Sequence, residues 1–315
     1  MISYPTASGR KASKENNMYK SGFVSVVGRP NVGKSTLLNR ILKEKISITS
    51  NKAQTTRNKI TMIYSDDRGQ IVFSDTPGIQ SPRNKLGDYM LKASESSLEG
   101  VDVVVMVVDM SDYLGAKDKM ILEAIDKLAK DVPAILVINK VDTAPRDEVL
   151  PIIARFSEMG IFDDIVPVSA LKDENIEHLI DTIFSYLKEG PQYYPEDMIT
   201  DQPEKFIVSE IIREKALFYL HEEVPHGVAV SIVHMRPFED KDMMDLQATI
   251  YVERDSHKGI IIGKGGQMLK RIGTEARKEI EEFLDSPVNL KLWVKVSKNW
   301  REKAEKVKAF GYRTD

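Results

Sequence analysis

Gly28-Arg29-Pro30-Asn31-Val32-Gly33-Lys34-Ser35 is the stretch on which the reading of this chain turns. Its two glycines and the closing Lys-Ser fit a phosphate-binding loop, provided a strand leads in and a helix leads out. The apolar run Phe23–Val27 precedes it and the helical pattern Ser35–Leu42 follows, so the context holds. The glycines let the backbone curl until its N–H groups face phosphates, and the helix N-terminus adds positive potential. Lys34 is expected to reach the β- and γ-phosphates. Ser35 is expected to place its hydroxyl on Mg²⁺. Arg29, Pro30, Asn31, Val32 and Thr36 complete the expected loop contacts.

Outward from this loop, short apolar runs alternate with helical patterns as far as Leu187. The runs are Phe23–Val27, Lys59–Tyr64, Gln70–Phe73, Val103–Val108, Ala134–Ile138 and Ile165–Val168. Between them lie Ser35–Leu42, Leu86–Leu98, Lys117–Lys130, Arg146–Met159 and Ile176–Leu187. Several runs are continuously apolar, as strands buried on both faces of a parallel sheet are. The fold class expected is α/β, a mostly parallel doubly wound sheet. Ligands of such sheets bind beyond the carboxyl ends of the strands, where every further motif falls.

Asp75-Thr76-Pro77-Gly78 ends the Gln70–Phe73 run. A carboxylate there can hold the Mg²⁺ shell, since Mg²⁺ prefers oxygen ligands. The Gly78 N–H can meet a γ-phosphate, with Thr76, Pro77 and Ile79 beside it. Asn139-Lys140-Val141-Asp142 ends the Ala134–Ile138 run. Guanine offers two adjacent donors that Asp142 can accept; adenine would leave the carboxylate unpaired. Asn139 is expected to bridge base and loop, and the stem of Lys140 to cover the ring, with Val141 between. Ser169-Ala170-Leu171 can cap guanine O6 through the Ala170 N–H. Gln54-Thr55-Thr56-Arg57 lies in a polar stretch, and a threonine there can join the Mg²⁺ shell only when a γ-phosphate is present. Thr56 is favoured over Thr55. Lys34, Thr56 and Gly78 are the candidate catalytic groups, and Ser35, Thr56 and Asp75 the candidate metal ligands.

These four elements in this order are the signature of P-loop GTPases. The wording of Gly28–Ser35 and the Thr-Thr-Arg segment resemble the bacterial TrmE–Era–Der group. Ile79 stands where related enzymes carry a water-orienting glutamine, and its side chain cannot orient water. The resemblance implies that other groups position the water, with K⁺ near Asn31 a candidate, and that intrinsic GTP hydrolysis is slow. No arginine finger is assigned; Arg29 and Arg57 are available.

Residues 189–203 carry Gly190, Pro191, Pro195 and Pro203 and read as a linker. After it the order changes: a helix (204–220), two strands (228–235 and 246–253), a short helix, a glycine turn, a long helix (267–284), a strand (288–296) and a last helix (299–309). The turn is Gly263-Lys264-Gly265-Gly266, preceded by Ile260, Ile261 and Ile262. A GxxG loop between helices lets a nucleic-acid backbone approach closely, and the isoleucines can line a groove for unstacked bases. From Lys258 to Lys278 six residues are basic and one, Glu275, is acidic. The α-β-β-α-α-β order resembles the type II KH domain, an α+β unit. That resemblance implies a hold on about four single-stranded nucleotides. Candidate RNA-binding residues are Ile261, Ile262, Gly263, Lys264, Gly265, Gly266, Lys270 and Arg271. Arg277 and Lys278 either add charge or pair with Glu281 and Glu282. Lys291, Lys295, Lys298, Arg301, Lys303, Lys306 and Lys308 form either a solvated face or an extended RNA track.

The chain has 315 residues, which suits two domains. Its formal net charge of −3 means that any polyanion site is a local patch. Cysteine is absent, which excludes disulfides and thiolate metal sites. The polar stretch 1–20 reads as a mobile leader, not a signal peptide, and no run of about 18 apolar residues appears. The expected division is 1–20 leader, 21–188 G domain, 189–203 linker, 204–298 KH domain and 299–315 helix and tail. A G domain joined to a type II KH domain resembles the Era family. The resemblance implies GTP/GDP and Mg²⁺ as cofactors and the 3′ end of 16S rRNA and the small ribosomal subunit as partners. It also implies a cytoplasmic location with peripheral association with the inner membrane. A monomer with no DNA partner is expected. The competing readings are a regulatory GTPase whose second domain binds protein, and an ATP-using P-loop enzyme, against which Asp142 argues.

Overall fold

A computed structural model describes residues 18–313 apart from 53, 79–80, 112–113 and 129–130. Most of the stretch expected as a leader therefore lies outside the described residues, and the first strand begins three residues before the expected run Phe23–Val27, at Lys20.

The first half consists of β1 (Lys20–Val27), α1 (Lys34–Leu42), β2 (Ile60–Asp66), β3 (Gly69–Asp75), α2 (Lys85–Ser96), β4 (Val103–Asp109), α3 (Ala116–Leu128), β5 (Ala134–Asn139), α4 (Val149–Ser157), β6 (Asp164–Pro167) and α5 (Ile176–Tyr186). They build a six-stranded sheet of order β2-β3-β1-β4-β5-β6. Only β2 runs antiparallel to its neighbour. Every residue of β5 is buried, and of β4 all but Asp109, which accounts for their unbroken apolar runs. The helical pattern expected over 146–159 divides into a 3₁₀ turn, Arg146–Glu148, and then α4.

Parallel register brings the strand ends together. Val26 lies beside Asp75, Val27 beside Met106, Asp109 beside Asn139 and Ile138 beside Pro167. The four motifs thus leave the sheet along one edge.

The second half consists of α6 (Glu204–Tyr219), β7 (Ala229–Pro237), β8 (Met244–Val252), α7 (Asp255–Ile262), α8 (Gln267–Leu284), β9 (Val288–Val296) and α9 (Ala304–Ala309). The α-β-β-α-α-β order read from sequence is present. β7 pairs antiparallel with β8, and β8 parallel with β9. Ile207, Ile211, Leu246, Ile250, Ile272 and Ile280 bury the inner face under α6 and α8.

Two segments differ from expectation. Residues 299–309 are not one helix: a 3₁₀ turn, Trp300–Glu302, is followed by extended Lys303 and then α9. The break seats Trp300, Val307 and Tyr312 against Leu86 and Met90 of α2, in the other half of the molecule. The 189–203 stretch, in turn, lies along the first sheet. Ile63 N–H donates to Ile199 O at 2.9 Å, Thr200 Oγ1 to Thr61 O at 2.6 Å, and the Gln70 amide oxygen accepts from Tyr193 and Tyr194 N–H at 3.0 Å. It covers the edge of β2, which would otherwise offer unpaired backbone groups.

Candidate functional site

The loop after β1 turns on Gly33, whose φ is +100° and where a Cβ would sit 2.3 Å from Asn139 Nδ2. No side chain fits there, so the loop closes on the Asn139 amide. Gly78 comes equally near: a Cβ on it would lie 2.7 Å from Pro30 N. The 75–78 turn therefore rests directly on the phosphate-binding loop.

Lys34 opens α1 and is buried, with Nζ donating to Gly28 O at 2.9 Å and Arg29 O at 3.1 Å. Burial lowers its pKa to about 8, against the pull of Asp75. Asp75 is wholly buried, and burial raises its pKa, opposed by Lys34 and by the Ser35 hydroxyl. Ser35 Oγ donates to Asp75 Oδ2 at 2.8 Å and lies 2.9 Å from Thr56 Oγ1. The other Asp75 oxygen, Oδ1, is buried without a hydrogen-bond partner. Two hydroxyls and a carboxylate with a spare lone pair are an all-oxygen set, the kind that suits Mg²⁺. Of the two threonines weighed, Thr56 faces this cluster, whereas Thr55 Oγ1 turns away to Lys52 O at 2.7 Å.

Asn139 joins three segments. Its Nδ2 donates to Val32 O at 2.9 Å, and its Oδ1 accepts from Lys140 N–H at 2.8 Å and Ala170 N–H at 3.1 Å. Lys140 Nζ donates to Asn31 O at 2.7 Å, so its stem spans from β5 to the loop. Asp142 is exposed and accepts from the buried Ser169 hydroxyl at 2.5 Å. Arg40 of α1 donates to Ala170 O at 3.0 Å, fixing the 169–171 turn.

Some expected contributors face elsewhere. Val32 and Thr76 are buried, Thr76 donating to Val26 O at 2.9 Å, and the Pro77 carbonyl accepts from Ser94. What they offer a ligand is backbone only. Val141 is partly buried and Leu171 is 67% exposed. Ile79 lies outside the described residues. Arg29, read as available, is paired with Asp109 and lies 3.7 Å from Asp118. Arg57, also read as available, is buried in the second half of the molecule. Asp109 carried no motif that could have marked it.

The second half offers a separate groove. Gly263, Gly265 and Gly266 all have positive φ, and a Cβ on Gly263 would lie 2.7 Å from Met268 Cβ, so the GxxG turn depends on glycine. Lys264 is exposed at its tip. Beside it a cleft of about 380 Å³ is lined by Gly266, Leu269, Lys270, Gly273, Leu290 and Leu292. Gly273 keeps the cleft open, since even a Cβ there would come within 3.2 Å of Leu292 Cδ1.

One expected groove residue is corrected. Ile261 is wholly buried and belongs to the core, with Ile262 packed against it, because α7 turns that face toward the sheet. Arg271 is exposed beside the cleft lining and stacks over the Tyr219 ring, 4.3 Å from its centroid. The apolar lining comes from Leu269 of α8 and from Leu290 and Leu292, whose alternation along β9 was the available signal. Arg277 lies 3.6 Å from Glu281 as anticipated, but Lys278 meets Glu275, not Glu282. Arg301 is paired with Glu253.

A phosphate-binding loop, an oxygen cluster and a base-side carboxylate on one sheet edge, followed by an α-β-β-α-α-β unit with a GxxG turn, define a P-loop GTPase domain joined to a KH domain. Residues 23–140 match the family described as 50S ribosome-binding GTPase, and residues 223–301 match the KH domain family. The chain is 54% identical over 296 residues to GTPase Era of Clostridioides difficile (strain 630), covering 94% of this chain and 99% of that one. It is 52% identical to GTPase Era of Alkaliphilus metalliredigens, over 93% and 99%. Its structure is similar to that of an Aquifex aeolicus Era variant bound to GDP and AlF₄⁻, with a TM-score of 0.90 and 44% identity, covering 94% and 100% of the two chains. It is equally similar to Era in complex with MgGDPNP and nucleotides 1506–1542 of 16S ribosomal RNA, with a TM-score of 0.91, 44% identity and the same coverage. The chain belongs to the Era family of GTPases.

Proposed function

We propose that this GTPase binds GTP or GDP with Mg²⁺, hydrolyses GTP slowly, and couples nucleotide state to a hold on the 3′ end of 16S rRNA during small-subunit assembly. The observation that carries the reading is the Ser35–Thr56–Asp75 oxygen cluster beneath the phosphate-binding loop, with one Asp75 oxygen lacking a partner. Ser35, Thr56 and Asp75 would hold Mg²⁺, which when bound neutralises charge on the β- and γ-phosphate oxygens. Lys34 adds positive charge to the same oxygens. Backbone N–H groups of the 28–36 loop and of Gly78 orient the phosphates. Water forms a bond to the γ-phosphorus as the bond to the bridging β–γ oxygen breaks, releasing GDP and phosphate. Asp142 accepts the two guanine donors, Ala170 N–H meets O6, and Lys140 lies along the ring.

The Leu269–Leu292 cleft takes about four unstacked nucleotides, with Lys264 and Lys270 on their phosphates. The match of residues 223–301 to the KH domain family and the 16S rRNA bound to a structurally similar Era support this over a protein partner. We place the protein in the cytoplasm as a monomer, visiting the membrane peripherally. No described helix is long and apolar enough to cross a membrane.

Titration calorimetry with GDP and ADP tests the nucleotide reading, and equal affinity would overturn it. Single-turnover GTP hydrolysis with and without K⁺ tests the cation near Asn31. Binding of a 16S 3′-end oligonucleotide, compared between GDP and a non-hydrolysable GTP analogue across a salt series, tests the coupling; equal affinities would refute it.

A further inference from the structure

Thr56 is flanked on both sides by contacts that belong to the second domain. The Thr55 carbonyl accepts from Nη2 of Arg213 on α6. Arg213 is 1% exposed and is held in turn by Glu210, Nε to Oε1 at 2.7 Å. On the other side Arg57, also 1% exposed, crosses the seam between the domains. Its Nη1 donates to Val228 O at 2.7 Å and Tyr312 Oη at 3.2 Å, and its Nη2 to His226 O at 3.0 Å. Upstream, Glu214 accepts from Thr49 N–H at 2.8 Å and from Lys45 Nζ at 2.7 Å.

A polar loop left alone has many conformations, and holding one of them costs backbone entropy at each residue. The Thr55 hydroxyl on Lys52 O ties the segment to its own upstream turn, but that bond does not direct the Thr56 hydroxyl to Ser35, 2.9 Å away. Two buried guanidiniums on backbone and phenol oxygens do, because a planar fork with several donors fixes direction as well as distance.

We infer that Arg213 and Arg57 are positioning residues for GTP hydrolysis: through them the KH domain holds residues 55–57 so that Thr56 reaches the Ser35–Asp75 oxygens. The inference rests on the reading of Thr56 as a Mg²⁺ ligand. It makes the RNA-binding half a working part of the hydrolytic site. Any partner that shifts α6 or the 300–312 segment changes the rate without touching the nucleotide.

The test uses the full chain and compares Thr56→Ala, Arg213→Gln, Arg57→Lys and the double variant Thr56→Ala/Arg213→Gln. Arg213→Gln and Arg57→Lys are each expected to slow single-turnover hydrolysis about tenfold or more and to weaken a non-hydrolysable GTP analogue in Mg²⁺, while GDP affinity stays within about twofold. The double variant is expected to be no slower than Thr56→Ala, since the arginine acts through that threonine. If the two losses multiply, or the arginine variants hydrolyse at the parent rate while Thr56→Ala is slow, the inference fails and the Mg²⁺ reading stands. If Thr56→Ala hydrolyses at the parent rate, the Mg²⁺ reading falls and takes the inference with it. GDP affinity and unfolding midpoint dropping in step with the rate, or a variant that does not bind GDP at all, would assign the arginines a purely structural role and also overturn it.

Discussion

Asp142 is held by the Ser169 hydroxyl while remaining exposed, so its lone pairs are aimed before any base arrives. Replacing it with asparagine puts a donor where guanine also presents a donor. Asp142→Asn is therefore expected to weaken GDP by about a hundredfold or more and to improve binding of xanthosine diphosphate, whose C2 oxygen accepts. Competitive titration with the two diphosphates measures it; unchanged preference would remove Asp142 from base selection. Gly33 is another position where one group decides. With φ at +100° and the Asn139 amide 2.3 Å from any Cβ, Gly33→Ala must displace the Asn139 hinge that joins loop, β5 end and 169–171 turn. Loss of nucleotide binding with the second domain still folded is the expected outcome, read by calorimetry beside far-UV circular dichroism.

α8 illustrates how an element carries both fold and groove. Ile272, Ala276 and Ile280 face the core, whereas Leu269 and Gly273 face the cleft one turn apart. A glycine inside a helix costs stability by itself, up to about 1 kcal/mol relative to alanine. Its presence here goes with the close approach of Leu292, whose Cδ1 would have to shift by a few tenths of an ångström to admit a Cβ at 3.2 Å. Gly273→Leu is expected to keep the fold, since leucine favours helix, but to fill the cleft. Affinity for a 16S 3′-end oligonucleotide should fall at least about tenfold, with intrinsic GTP hydrolysis unchanged. α2 makes the corresponding link on the other side. Leu86, wholly buried, packs with Trp300, Val307 and Tyr312. Leu86→Ala should cost about 2–5 kcal/mol, the usual range for a buried leucine, seen as a lower urea midpoint.

At the scale of the whole molecule the two domains meet through charge as well as apolar contact. Glu214 gathers Lys45, Lys215 and the Thr49 N–H at the seam. Burial pushes its pKa up, but these hydrogen bonds outweigh it and hold the carboxyl below its ordinary 4.5. A folded-state pKa below the unfolded value contributes stability that is present above 4.5 and is lost as pH falls through the folded value. Stability should therefore fall over the interval in which the pH drops below 4.5. Glu214→Gln should be less stable near neutrality and show a shallower slope over that interval. Urea unfolding at a series of pH values checks both. A parallel curve for the variant would remove Glu214 from the seam.

What the sequence alone determined was the nucleotide half, its alternating fold and the α-β-β-α-α-β order. Those follow from local facts: motif residues sit at fixed places on strand ends, glycine spacing dictates loop curvature, and apolar periodicity distinguishes strand from helix. The segments carrying Ser35, Asp75, Asn139 and Asp142 leave the sheet along one edge because parallel register aligns the strands that precede them. Tertiary structure alone decided which of Thr55 and Thr56 faces Ser35, that Ile261 is core and Leu292 is groove, and that Arg57 and Arg213 tie the domains together. The Arg213–Thr55 and Arg57–Tyr312 contacts join residues 158 and 255 positions apart. No local pattern encodes such a pair, because whether a charged side chain is solvated or buried depends on which distant surface the packed chain brings against it.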